Sequence, residues 1–298
     1  NHDMRKKHKP KDEGSESITH IKQTLDNAFL EMDQYANDTK GEIGIEEGFT
    51  FLNQLFIGNE RPRFSIISTP NMSGSSFLGP SIVAELATTH GRSIACFSLE
   101  IPQTFYSLIL LSIVAEVDFE AMRSGRLRSE QWPGLSAACR DLIDTQIYLD
   151  DVRPLSVKAL RKRIRKLITE VPIDLVIIDS LDFISCKKLL RNRARNYQKI
   201  CQSLKDISDE LNVSILLMSQ FSDEYDPDDV DVTKECGLLA FLQDFGKIPD
   251  AELCLIPGKH DREARLFSLH IYRNREGVTG TIDLKQNLSG GSFEQYWE

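Results

Sequence analysis

The chain has 298 residues, 27% of them charged and 41% apolar, with a formal net charge of −9. That length allows one large α/β core or a core with a small appendage, and the composition is that of a soluble globular protein. The negative balance disfavours a constitutive nucleic-acid coat but leaves room for a local basic surface, and six scattered cysteines without Cys-x-x-Cys spacing argue against a zinc site or a disulfide framework.

Residues 1–15 are charged and contain proline and glycine, so a disordered basic tail is expected, without the apolar core of a signal peptide. Over 16–40, Ile18, Ile21, Leu25, Phe29 and Met32 recur at helical spacing and predict an amphipathic helix. Two readings of that stripe stand side by side: a helix packed on its own core, and a linker helix docked on a neighbouring subunit. The main domain follows over 41–298. The most apolar stretch, 105–117, is interrupted too soon to span a bilayer, so a cytoplasmic protein without a membrane partner is expected.

The first strand signal, at Phe64 to Ile67, runs into PNMSGSSF and then into an apolar helical pattern from Phe77. This strand–loop–helix context is that of a phosphate-binding loop. Gly74 and the hydroxyls of Ser73, Ser75 and Ser76 suit such a loop, but no lysine occurs anywhere between Lys40 and Lys158. Further strands are predicted at 93–99, 147–150, 175–179 and 214–220, with helices at 157–168 and 197–211 between them, and a final run of strands at 251–256, 267–274 and 281–284. Alternating β and α units with continuously apolar strands predict a parallel sheet covered on both faces, with ligands at the carboxyl ends of the strands. Glu100, Asp179, Gln220 and the loop hydroxyls all fall at such ends.

Taken together, PNMSGSSF, IACFSLE (94–100), RSGRL (123–127), IYLDD (147–151), LVIIDSLDFI (175–184), ILLMSQ (215–220) and RNREGVTGTIDL (273–284) resemble the C-terminal motor domain of DnaB-type replicative DNA helicases. The entry motif GEIGIEEGFTFLNQL (41–55) belongs to the same resemblance, and the preceding helix is similar to the family's linker helix. The resemblance implies a RecA-like P-loop NTPase core with ATP and Mg2+, a homo-oligomeric ring of typically six subunits, and single-stranded DNA as partner. It further implies that Glu100 polarises the attacking water, that Asp179 and the loop hydroxyl of Ser75 serve the metal, and that Gln220 senses the γ-phosphate. Arg273 and Arg275 match the basic pair that reaches the next subunit's site, where cations stabilise the transferring phosphoryl group.

Two departures bear on chemistry. The phosphate loop reads Ser73-Gly74-Ser75 or Gly74-Ser75-Ser76, each with a hydroxyl but neither with the lysine, so hydrolysis is expected to be slow or absent. After Gln220, residues 223–235 hold seven carboxylates and one lysine, which would repel a phosphate backbone if they faced it. Against this, Lys187, Lys188, Arg191, Arg193 and Arg195 form a basic cluster where the family's other DNA loop lies, read either as a solvated helix start or as a phosphate contact. The expected function is a DnaB-like helicase-family protein acting in DNA replication with an impaired ATP site. The alternative is a non-catalytic RecA-like module that binds DNA or a helicase ring as scaffold, loader or inhibitor.

Overall fold

A computed structural model describes residues 64–69, 75–185, 192–220, 242, 245–247, 249–261, 265–274, 279–287 and 289–296. All of these belong to one unit. The expected tail (1–15), linker helix (16–40) and acidic run (223–235) lie outside the described residues, as do Ser73 and Gly74.

A nine-stranded sheet organises this unit, in the order β11-β10-β9-β8-β1-β7-β5-β2-β3. Its parallel part comprises β1 (Phe64–Thr69), β2 (Ile94–Ser98), β3 (Ile147–Asp150), β5 (Leu175–Asp179), β7 (Ser214–Gln220) and the start of β8 (Leu253–Asp261). Then β9 (Leu266–Asn274), β10 (Gly280–Gln286) and β11 (Phe293–Tyr296) extend it as antiparallel strands. Two short strands, β4 (Leu155–Ser156) and β6 (Ile184–Ser185), pair separately.

The central strands are apolar on both sides because both faces are covered, and every residue of β1, β2 and β5 is buried. On one face, Ile67, Cys96, Ile177 and Leu216 pack with α1 (Leu78–Ala84) and α2 (Gln103–Ala115). On the other, Ile66, Phe97, Ile178 and Leu217 pack with α5 (Val157–Glu170) and α6 (Arg193–Leu211). Two smaller helices, α3 (Phe119–Arg123) and α4 (Trp132–Ile143), complete the set. The α5 helix buries Leu160 and Ile164 and keeps its cations outward, and Ser156 caps it by accepting from the Ala159 N–H at 3.2 Å. Asn192 caps α6 through the Arg195 N–H at 3.0 Å, and Asn212, at φ 51°, ends the helix and turns the chain into β7.

Most expected elements are present with shifts of a few residues at their ends. The helix after the phosphate loop differs in kind. It begins as a 3₁₀ turn (Ser75–Phe77), is regular over α1, and closes as a π turn (Glu85–Thr89). Pro80 lies inside it and has no N–H to give to the preceding turn, and every residue of α1 is buried. Helices α2, α3 and α4 and strand β11 carry no recognisable periodic signal and are not among the expected elements.

The last hairpin is fastened to the phosphate-loop helix. Ser81 Oγ donates to Phe77 O at 2.7 Å and accepts from the Phe293 N–H at 3.0 Å. Gly291, at φ +75°, sits where a Cβ would fall 2.8 Å from the Phe77 ring, and a Cβ on Gly290 would meet Ser112 O at 2.7 Å. Because Ser112 O is main chain, it cannot swing aside. Gly290→Ala is therefore expected to lower stability by about 1–3 kcal/mol, read as a lower midpoint in thermal unfolding; an unchanged midpoint would contradict this close approach.

Candidate functional site

The register of the sheet brings three of the predicted residues to one edge. Ser98, at the end of β2, lies beside Asp179 at the end of β5, and Thr69 of β1 lies beside Gln220 of β7. The chain then turns Glu100 back over β5: the N–H groups of Leu99 and Glu100 both donate to Asp179 O, at 2.5 and 3.2 Å. Ser98 Oγ holds that turn by donating to Ile101 O at 2.8 Å. Gln220 Nε2 donates to Glu100 Oε2 at 2.8 Å, so a γ-phosphate-sensing residue and a water-polarising residue, as the resemblance assigns them, are in direct contact.

The electrostatics of this edge are unusual. Asp179 is buried, with 7% of its surface exposed, and burial followed by the charge of Glu100 pushes its carboxyl up to about 7. Glu100 is raised as well, mainly by burial; the Gln220 hydrogen bond lowers it, Asp182 raises it and Arg153 lowers it. Among the described residues, Arg153 is the cation whose charge bears on Glu100. Its Nη1 donates to Leu99 O at 3.2 Å and Glu100 O at 2.6 Å, and its guanidinium lies 5.6 Å from the centre of the Phe183 ring. Asp151 strengthens the same strap by accepting from the Gln103 N–H at 2.9 Å. Arg153 is not among the residues predicted from sequence; the run IYLDDVRP signals a strand end and a turn, with nothing to say which way the arginine folds.

Behind Asp179 the first turn of α1 is open. A Cβ on Gly79 would lie 3.5 Å from Asp179 Oδ2 and 3.7 Å from Tyr106 Oη. The Tyr106 hydroxyl is fully buried and has no hydrogen-bond partner of acceptable geometry, although the Cys96 thiol and Asp179 both bear on its ionisation. Burial pushes the Cys96 thiol up to about 12.

The other predicted residues fall elsewhere. Ser76, in the 3₁₀ turn, is half-buried. Arg193 donates to Tyr197 Oη at 2.9 Å and to Asp182 at 3.1 Å, and Tyr197 Oη also donates to Asp182. Arg193 is thus built into a network around the carboxylate that raises Glu100. Arg195 is exposed at the first turn of α6, while Lys187, Lys188, Arg191 and Arg275 lie outside the described residues.

Arg273 is not at this edge. It pairs with Cys254 across the β8–β9 ladder and donates to Pro249 O at 3.0 Å and Asp250 Oδ1 at 3.1 Å. Lys205 binds the same Asp250 and Glu252, at 3.6 and 2.9 Å, and the Glu252 N–H donates to Phe64 O at 2.8 Å. Arg273 therefore sits where β1 begins, about 17 Å along the strand from the carboxylates at its far end. Within one subunit it does not join them.

An α/β sheet of this order, with polar strand ends gathered at one crevice, defines a RecA-like ATPase fold. The solved ATPase domain of a helicase superposes with a TM-score of 0.75 at 20% identity, covering 93% of this chain and 99% of that one. A DnaB-like replicative helicase, studied for its interactions with primase, gives 0.72 at 20% identity, over 94% of this chain and 68% of that one. Residues 44–295 match the DnaB-like helicase C terminal domain, and the chain belongs to that family. The replicative DNA helicase DnaC of Bacillus subtilis (strain 168) is 26% identical over 277 residues, 90% of this chain and 60% of that protein. The replicative DNA helicase DnaB of Geobacillus stearothermophilus is 27% identical over 271 residues, 88% of this chain and 58% of that protein. The chain thus spans about three fifths of the length of these relatives. Among the described residues no helix is long and apolar enough to cross a membrane.

The raised Asp179 carboxyl has a measurable consequence. A carboxyl whose folded value lies above its unfolded value of 3.8 leaves stability intact below about pH 4 and removes it as pH rises toward 7. Asp179→Asn abolishes that loss. Denaturant unfolding without divalent cation is expected to show the variant more stable than wild type at pH 8, by up to about 4 kcal/mol, with the gap closing at pH 4. A gap that is equal at both pH values would contradict the assignment.

Proposed function

We propose that this chain is a DnaB-family module acting in DNA replication, with a RecA-like nucleotide site that hydrolyses ATP slowly or not at all. One observation supports the reading above others: the Glu100–Gln220 contact beside buried Asp179 is assembled, yet the sequence between Lys40 and Lys158 offers no lysine to the phosphate loop. The donor set fits magnesium, since a dication would relieve the cost of ionising buried Asp179, with the Ser75 hydroxyl as a second ligand. It fits the triphosphate less well. Backbone amides and the start of a helix can cradle phosphate, but the fixed cation on the β- and γ-phosphates is missing. Bound ATP and Mg2+ would supply the transferable phosphoryl group and its charge neutralisation; Glu100 would accept the proton of an attacking water, oriented by Gln220.

Single-stranded DNA is the proposed polymeric partner, and a ring of like subunits, or of partner helicase subunits, is the proposed assembly, in a cytoplasmic setting. The placement of Arg273 at the edge opposite Glu100 supports a role between subunits, because an arginine serving its own site would have to cross the sheet. The second reading, a non-catalytic scaffold, loader or inhibitor, is favoured by the same missing lysine.

The test is ATP binding and phosphate release by wild type beside Gly74→Lys and Ser75→Lys. Wild type is expected to show little or no turnover, DNA-stimulated or otherwise. One lysine variant is expected to gain about 100-fold or more, the scale of a single transition-state donor, and to lose it again with Glu100→Gln. Wild-type turnover abolished by Glu100→Gln would overturn the impaired-site reading, and no gain in either variant would favour the non-catalytic one.

A further inference from the structure

The sheet ends on β3, a four-residue strand with β2 as its partner on one side and no strand on the other among the described residues. Because the Ile94 N–H donates to Gln146 O, the alternation of a parallel ladder turns the main-chain groups of Gln146, Tyr148 and Asp150 toward β2. Those of Ile147 and Leu149 face outward. An edge of this kind is usually blunted by lysine, proline or a bulge, and β3 has none of these.

Both flanks of the edge are prepared. On the α5 side a cleft of about 460 Å³ opens, floored by Ala95 and Phe97 and walled by Tyr148, Leu167, Arg163 and Lys166. This is the size of a small-ligand site, and it lies away from the phosphate-loop crevice. Arg163 is already bound to Asp150, whereas the Lys166 side chain is 75% exposed and meets Glu170 only at 3.7 Å. Lys158 and Lys162 are exposed without an acidic partner among the described residues, so Lys158, Lys162 and Lys166 form a row at four-residue intervals along α5. Their rise of about 6 Å per step is close to the roughly 6.7 Å between alternate residues of a strand. On the opposite flank Ile143, at the end of α4, is 74% exposed just ahead of β3.

We propose that the outer edge of β3 is a docking site for an extended peptide segment of a partner protein that alternates acidic with apolar residues. Its main chain pairs with Ile147 and Leu149. Its acidic side chains, best glutamates, lay their stems over Phe97 and Leu167 and reach the lysine row, and its apolar side chains cover Ile143 on the other face. A helix would leave the outward main-chain groups of β3 unsatisfied. A nucleic acid would meet Asp150 and Glu170 at the rim.

The test uses the full chain and a labelled seven-residue peptide alternating valine and glutamate, followed by fluorescence anisotropy. Binding is expected, with at least a five-fold loss for Lys162→Glu/Lys166→Glu and for Ile143→Asp, and none for a valine–lysine peptide. N-methylation of all valine amides and of all glutamate amides gives two further peptides, of which one only is expected to bind, because a strand turns alternate amides to opposite edges. Equal binding of both methylated peptides, binding indifferent to the lysine changes, or no binding of the parent peptide would each overturn the proposal. Because these positions are remote from Glu100 and Asp179, the outcome is independent of ATP turnover.

Discussion

The carboxyl edge of the sheet depends on Asp179, whose main-chain oxygen and side chain do different work. The oxygen accepts the N–H groups of both Leu99 and Glu100, which folds the residue after β2 over the end of β5 and delivers Glu100 to Gln220. The side chain is buried beside Glu100, where ionisation is costly for both. Position is thus fixed by backbone geometry, independent of any bound ion, while charge is left for something else to satisfy.

In a phosphate-loop ATPase that something is a lysine and a nucleotide-bound metal. Here the lysine is missing from the sequence, and the charge compensation nearest to Glu100 comes from Arg153, clamped to the carbonyls of Leu99 and Glu100 and stacked near Phe183. Asp182 works against it and is itself held by Arg193 and Tyr197, so the first turn of α6 is coupled to Glu100 through one carboxylate. A basic cluster read from sequence as a surface for DNA therefore contains one arginine with a local task. At the far edge, Arg273, Lys205, Asp250 and Glu252 form a second charged network anchored to the start of β1. The two networks sit at opposite ends of the same strand, which is the arrangement expected if subunits meet head to tail.

Much of this is legible in the sequence because the signals are local. Apolar runs of strand length ending in Glu100, Asp179 and Gln220 fix both the sheet and the side of it on which those residues emerge, and the family motifs then align them. What cannot be read depends on chain direction after a strand ends. Nothing in DDVRP requires Arg153 to return to Glu100, and nothing in FSLEIPQTFY announces that Tyr106 will bury an unpartnered hydroxyl next to Asp179. Helix α2 escapes a periodicity reading because its apolar residues run around the whole helix instead of along one stripe, and β11 because four residues are too few to show a period.

The central claim is that this edge holds a buried carboxyl group with no fixed cation of its own. Carbon-13 NMR of the Asp179 carboxyl, titrated in the metal- and nucleotide-free protein, tests it most directly. A midpoint near pH 7, falling when Mg2+ and ATP are added, is the predicted result; a midpoint in the ordinary aspartate range near 4 would contradict the account.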